Sequence, residues 1–312
     1  MSTGLLLINI GTPNAPTITA VYAYLAKFLS DARILNLPAF LRYLLVYGML
    51  VPWRMHKSKQ AYQAIWDKQG SPLMLHSHNL VTKLQKTLGA KYVVALGMRY
   101  GKPSIASALR QLAQCDKLII LPLYPQYASE STGSAIEYTL RCMQTLTVFP
   151  NIAIIRDFHN HSGFIKPLAE KIRPYLLHKS MVLFSFHAIP ERALGSHQCY
   201  RTQCFATAQA VATMLKLPHS AYQVGFQSHL KKSGWTQPQT IDLLLKCRQA
   251  NIEQLLVVCP SFVADCLETE EEIAIRLHHR WLELGGKHLQ LIPCLNDDDA
   301  WVQGIIEMIA DH

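Results

Sequence analysis

An alternation limits what this chain can fold into: short apolar runs, most of them separated by stretches long enough for a helix. The runs near 4–10, 92–98, 117–122, 152–157, 181–187, 222–227, 254–259 and 288–293 read as strands. Crossover stretches of that length join parallel strands, so the rhythm predicts α/β architecture with helices on both faces of parallel sheets. Four runs fall in each half, which predicts two similar doubly wound domains, 1–158 and 159–312. A faint repeat agrees with duplication. Lys117–Tyr124 and Leu255–Phe262 both read as strand, proline, spacer, aromatic, and Leu6–Pro13 can be laid over Leu183–Pro190.

Two places put ionisable side chains where an apolar run ends. His187 closes Met181–Phe186, and Asp265, Glu268 and Glu272 follow Leu255–Cys259. In open α/β sheets, ligands bind at the carboxyl ends of the strands. The three acids are spaced i, i+3, i+7, so a helix running from near Asp265 to a stop at Gly285-Gly286 carries them on one face. An imidazole facing such a ladder suits metal delivery or proton removal. Spacing alone leaves the plainer alternative open: a histidine after a strand is commonly a hydrogen-bonded structural residue, and early acids complement the helix dipole, as Glu270 and Glu271 can. The repeat lays Ile10 opposite His187 and Glu130 opposite Glu268. It thus predicts a cleft between the domains, walled by Ile10, Tyr124 and Tyr127 on one side and by His187 and Glu268 on the other.

Composition narrows the function classes. Half of the residues are hydrophobic, so a full core is expected. The formal charge of +9 favours anionic partners, but no Lys/Arg-rich run or zinc-finger spacing accompanies it, so nucleic acid is not expected. The eight cysteines are scattered without a C-x-x-C pair, which predicts reduced thiols and no iron–sulfur cluster. The amino terminus enters an apolar strand without a basic leader, which predicts a cytoplasmic protein. Residues 34–54 form the oddest segment. Its apolar run, Tyr43–Trp53, is far short of the roughly 20 residues that span a bilayer. Bordered by Arg54, His56, Lys57 and Lys59, it reads as a lip that meets an anionic membrane surface, or as a buried helix.

Seven motifs in order give the chain a resemblance to the ferrochelatases, the enzymes that insert ferrous iron into a porphyrin. They are Leu7–Pro13, Gly70–Pro72, Met98–Tyr100, Leu121–Tyr127, Ser185–His187, Phe226–Ser228 and Asp265–Thr269. The resemblance covers essentially the whole chain. It implies two Rossmann-like domains of flavodoxin-like wiring, each with a four-stranded parallel sheet. It further implies that His187 and Glu268 are catalytic, and that Asp265 and Glu272 join them in handling metal or relaying protons. More loosely, it places Arg54, Tyr62, Ser71, Arg99, Tyr127 and Trp235 around the porphyrin, beside Ile10 and Tyr124. Iron is then a substrate, and no permanent cofactor is implied. The run His229–Trp235 departs from the family pattern, with its cation and glycine displaced, which puts local loop contacts in doubt.

Protoporphyrin IX is the expected ring, because Ile10 stands where coproporphyrin-using relatives tend to place a tyrosine and the lip is apolar. Coproporphyrin III is the alternative, as is cobalt insertion into a related tetrapyrrole. A nucleotide-dependent oxidoreductase would need a glycine-rich turn after the first strand, and Gly11-Thr-Pro-Asn is not one. A two-domain solute-binding protein would carry an export signal. Oligomeric state is left open.

Overall fold

Every predicted apolar run forms a strand. The computed structural model describes residues 2–144, 146–176, 180–191, 199–229 and 234–312. They form two units: residues 1–123 with 129–156 and 312, and residues 124–128 with 157–311.

The first unit contains β1 (Thr3–Asn9), α1 (Ile18–Leu29), α2 (Ala39–Leu45), α3 (Val51–Ile65), α4 (Pro72–Leu88), β2 (Tyr92–Met98), α5 (Ile105–Gln111), β3 (Lys117–Pro122), α6 (Ser134–Met143) and β4 (Asn151–Ile154). A π-helical turn, Val46–Leu50, carries α2 into α3. The strands pair in the order β2-β1-β3-β4, and every pairing is parallel. Leu5, Leu6, Leu7 and Ile8 in β1 are wholly buried, as a central parallel strand covered on both faces must be. Helix starts are marked locally. The Thr17 hydroxyl accepts from the Ala20 amide to begin α1, and Ser71 does the same for Met74 ahead of Pro72 in α4.

The second unit repeats the wiring. It contains α7 (Ser162–Ile172), β5 (Ser180–His187), α8 (Cys199–Met214), β6 (Tyr222–Gln227), α9 (Thr240–Gln249), β7 (Gln254–Val258), α10 (Leu267–Thr269), α11 (His278–Glu283), β8 (His288–Leu291) and α12 (Asp299–Ala310). Its sheet runs β6-β5-β7-β8, again all parallel. The expected pair of four-stranded α/β sheets is therefore present. The edge strands β4 and β8 stop short of the predicted 152–157 and 288–293. Each has one neighbour, and beyond the paired residues only single bonds continue, Ile155 N–H to Ile120 O and Ile292 N–H to Val257 O.

Between α10 and α11 the chain stays helical but winds as a π-helix over Glu270–Leu277. Ile273, Leu277 and Trp281 recur every four residues and are buried against Leu183, Val257 and Leu291, which seats this segment on the sheet. Each such side chain contributes about 1.5–3 kcal/mol. Elsewhere in the unit α7 meets α12 at Gly163 and Gly304, so closely that a Cβ on Gly163 would lie 2.4 Å from the Gly304 carbonyl oxygen. Only glycine fits there. Phe158, Phe164 and Trp301 fill the space beside that crossing.

Candidate active site

Within the second unit, β5 leads to β6 on one side and lies beside β7 on the other, so the order of strands reverses between β5 and β7. In open α/β sheets, ligands bind at the carboxyl ends of the strands beside such a reversal. His187 is the last residue of β5, and the segment after β7 leads to Glu268. The His187 amide donates to Ser261 Oγ at 3.2 Å, tying the end of β5 to the loop after β7. Tyr200 Oη donates to the His187 carbonyl at 2.7 Å and lies 3.1 Å from the same Ser261 hydroxyl. The backbone is held at both its amide and its carbonyl. Phe262 packs its ring 6.1 Å from the imidazole, at 64°. Neither imidazole nitrogen has a hydrogen-bond partner among the described residues.

The acids divide by role. Asp265 was expected at the start of the helix, on the face of Glu268 and Glu272. It lies before the first turn instead, 5% exposed, and its oxygens accept from the Cys294 amide, Asn296 Nδ2 and Thr269 Oγ1. Those bonds pin the loop, which makes Asp265 a support and not an open metal ligand. Cys266 caps α10 through a reciprocal pair with Thr269. Burial, and next the negative Glu268 beside it, push the Cys266 thiol well above its usual pKa, so it stays protonated against that carboxylate. Glu272 accepts from the amide and hydroxyl of Ser228, at 2.8 and 2.6 Å. Glu268 stands in the first helical turn, where the backbone dipole favours an anion. Among the described residues, no three His, Cys, Asp or Glu side chains converge closely enough to hold a metal. The predicted set His187, Asp265, Glu268 and Glu272 is thus not a ready-made metal cage.

The expected porphyrin contacts separate in the same way. Arg99 is committed internally: its Nη2 lies 2.5 Å from Asp31 Oδ2, its Nε donates to Ser134 Oγ, and its guanidinium stacks on Tyr100 and Tyr138. It is not a waiting propionate clamp. Ser71 is buried as the cap of α4, and Tyr62 is buried between Tyr24 and Trp66. Arg54 differs from them. It is half-buried in α3, burial works against its charge, and no carboxylate pairs with it among the described residues. Ile10 is half-buried just past β1, its amide turned back onto Asn9 Oδ1. Tyr124 and Tyr127 were expected on the wall opposite His187, yet residues 124–128 belong to the same unit as His187. The Tyr127 amide donates to Gln203, and Gln126 reaches Thr207 and the Pro260 carbonyl. Trp235 bridges to Pro190, just after His187, with His229 beside its ring. Of the altered run 229–235, residues 230–233 lie outside the described residues.

Some neighbours of the site gave no separable signal in the sequence. Gln227, Ser261, Tyr200 and Phe262 make their contacts across 13 to 75 positions of chain, with Gln227 opposite His187 in the β5–β6 register. A cavity of about 350 Å³ elsewhere in this unit is lined by Gln254 and His288, the first residues of β7 and β8. It is therefore at the wrong end of the sheet to serve His187.

On the first unit, the lip is exposed and not a buried helix. Phe40, Leu44, Met49 and Trp53 are 76%, 62%, 56% and 80% exposed, whereas Val46 and Val51 are fully buried beneath them. No described helix is long and apolar enough to cross a membrane. None of the eight cysteines is in a disulfide.

Comparison with known proteins converges on one family. The ferrochelatase family model matches residues 2–312. A ferrochelatase of Legionella pneumophila (strain Paris) is 45% identical across the whole of both chains. One from Coxiella burnetii (strain Dugway 5J108-111) is 40% identical, over 98% of this chain and 92% of its own. Among solved structures, SirB from Bacillus subtilis with Fe3+ matches with a TM-score of 0.62 over 100% of this chain and 95% of that one, at 8% identity, which is a likeness of fold alone.

Proposed function

The chain belongs to the ferrochelatase family, whose members insert ferrous iron into a porphyrin, and we propose that His187 accepts a pyrrole proton, with Glu268 completing the site and the acids passing protons on. In the overall reaction a porphyrin and Fe2+ give an iron porphyrin and two protons. The protons must leave the ring nitrogens as the iron–nitrogen bonds form. An imidazole suits that step because its ordinary pKa lies near neutrality. The observation carrying this reading is placement: His187 and Glu268 flank the β5/β7 reversal, and the imidazole has no described partner to occupy its nitrogens. Glu272 stands behind Glu268 for proton relay or iron delivery, with oxygen donors suited to ferrous iron as substrate.

Arg54 supports a carboxylate-bearing ring, since its unpaired, half-buried charge calls for an anion such as a propionate. Protoporphyrin IX fits better than coproporphyrin III. The latter carries two more propionates, which would lie against Ile10 and the exposed apolar lip. Burying even one unpaired carboxylate between the ring and that apolar surface costs several kcal/mol. With both porphyrins assayed under one detergent condition, kcat/KM should favour protoporphyrin IX by at least about tenfold. Equal values, or a preference for coproporphyrin, would reverse this assignment.

The lip is proposed to rest on the anionic cytoplasmic face of a membrane, where an apolar porphyrin would arrive. Its support is the cluster of Phe40, Leu44, Met49 and Trp53 beside the exposed His56 and Lys57. Val46 is buried, so the side chains to change are the exposed ones. Phe40→Ser with Leu44→Ser and Trp53→Ser should weaken binding to anionic liposomes at least about tenfold, and raised salt should weaken the wild type. No liposome binding by the wild type at low salt would end the proposal.

A further inference from the structure

We infer that Gln227 and Ser228, at the carboxyl end of β6, are positioning residues that set Glu268 and Glu272 in place. This rests on the role of Glu268 proposed above. Gln227 is 3% exposed and uses both ends of its amide. Its Nε2 donates to the Glu268 carbonyl oxygen at 2.7 Å. Its Oε1 accepts from Ser185 Oγ at 2.6 Å and from Cys259 Sγ at 3.5 Å. One side chain therefore joins β5, β6, the end of β7 and the first turn of the acidic helix. Ser185 is itself held by Thr240, at 2.7 Å, so the anchor does not drift.

Ser228 takes the next grip. Its φ is +65°, a left-handed conformation uncommon for a residue other than glycine. That turn aims both its amide and its hydroxyl at the Glu272 carboxylate. The two adjacent residues thus hold the helix at its first turn and again four residues on. The helix is π-wound between those points and beyond, a winding with weak internal preference that persists where its surroundings fix it. Strain in a short turn is justified where it places something, and here it places the acids. Displacing a catalytic group by about 1 Å costs on the order of 100-fold in rate.

The test is a double-mutant cycle in the full-length enzyme. Gln227→Met keeps the length and removes both polar ends. It should lower kcat for Fe2+ insertion roughly 10- to 100-fold, while the porphyrin Kd from fluorescence quenching stays within about twofold of wild type. Combined with Glu268→Gln, it should add little further loss, because groups acting as a unit are non-additive. A merely structural role predicts losses that multiply, and that result overturns the inference. So does a Gln227→Met enzyme of normal kcat. If Glu268→Gln alone is fully active, the reading of Glu268 fails, which is a separable outcome. Should Gln227→Met not fold, the Ser228→Ala and Glu272→Gln cycle decides by the same criterion, since Ser228 grips the Glu272 carboxylate.

Discussion

Replacing His187 by alanine should lower turnover by about 100-fold to 10,000-fold, and Glu268→Gln should cost at least about 100-fold, the span expected for losing a general base or acid. Porphyrin should still bind in both. Turnover loss without binding loss follows from where the groups stand: His187 is fixed through its backbone by Ser261 and Tyr200, so removing the ring beyond Cβ leaves those bonds intact. Glu268→Gln likewise preserves the carbonyl that Gln227 grips. Steady-state rates with Fe2+, fluorescence titration with porphyrin and circular dichroism separate the effects. Near-normal turnover in a folded variant removes that residue from the mechanism. Asp265→Asn should behave differently. Its carboxylate holds the Cys294 amide, Asn296 and Thr269, so its loss should appear first as lower stability.

How much of this was legible in the sequence depends on how far apart the partners lie. The strands were legible because a central parallel strand is apolar along its whole length, as Leu5–Ile8 and Val182–Phe184 are. The place of His187 at the end of a strand was legible because an apolar run leads up to it, and its chemistry with Glu268 is the proposal made above. The family resemblance drawn from seven motifs was correct. The π-winding of Glu270–Leu277 was not legible, since apolar residues four apart suit a π-helix and an α-helix equally. Nor was the split of the lip, where Val46 and Trp53 are alike in polarity and opposite in exposure. Asp265 was read as a helix-face acid because sequence spacing does not show that the helix begins two residues later. Arg99 was misread for a similar reason. An arginine after a strand looks the same whether its anion is a ligand or an aspartate 68 positions away.

Arg99 therefore supplies the last large expected effect, and it is one of stability. Arg99→Leu should destabilise the first unit by about 3–5 kcal/mol in urea unfolding, the usual cost of stranding one half of a buried ion pair. Asp31 and Arg99 are only 7% and 16% exposed, so water cannot replace the lost partner. Asp31 also accepts from Tyr100 Oη at 2.7 Å, Ser134 Oγ at 2.6 Å and the Arg33 amide at 2.8 Å. Burial alone would raise its pKa. The bonds from Ser134, Arg33 and Tyr100, with the charge of Arg99, outweigh burial and hold it below the ordinary 3.8. A carboxyl depressed in the folded state stabilises above its unfolded pKa, and that contribution fades as pH falls through the folded value. The stability gap between wild type and Arg99→Leu should therefore be full near neutrality and shrink once pH drops below 3.8. The porphyrin KM should not move, because this guanidinium already has its anion. An Arg99→Leu enzyme of normal stability and raised KM would return Arg99 to the substrate site.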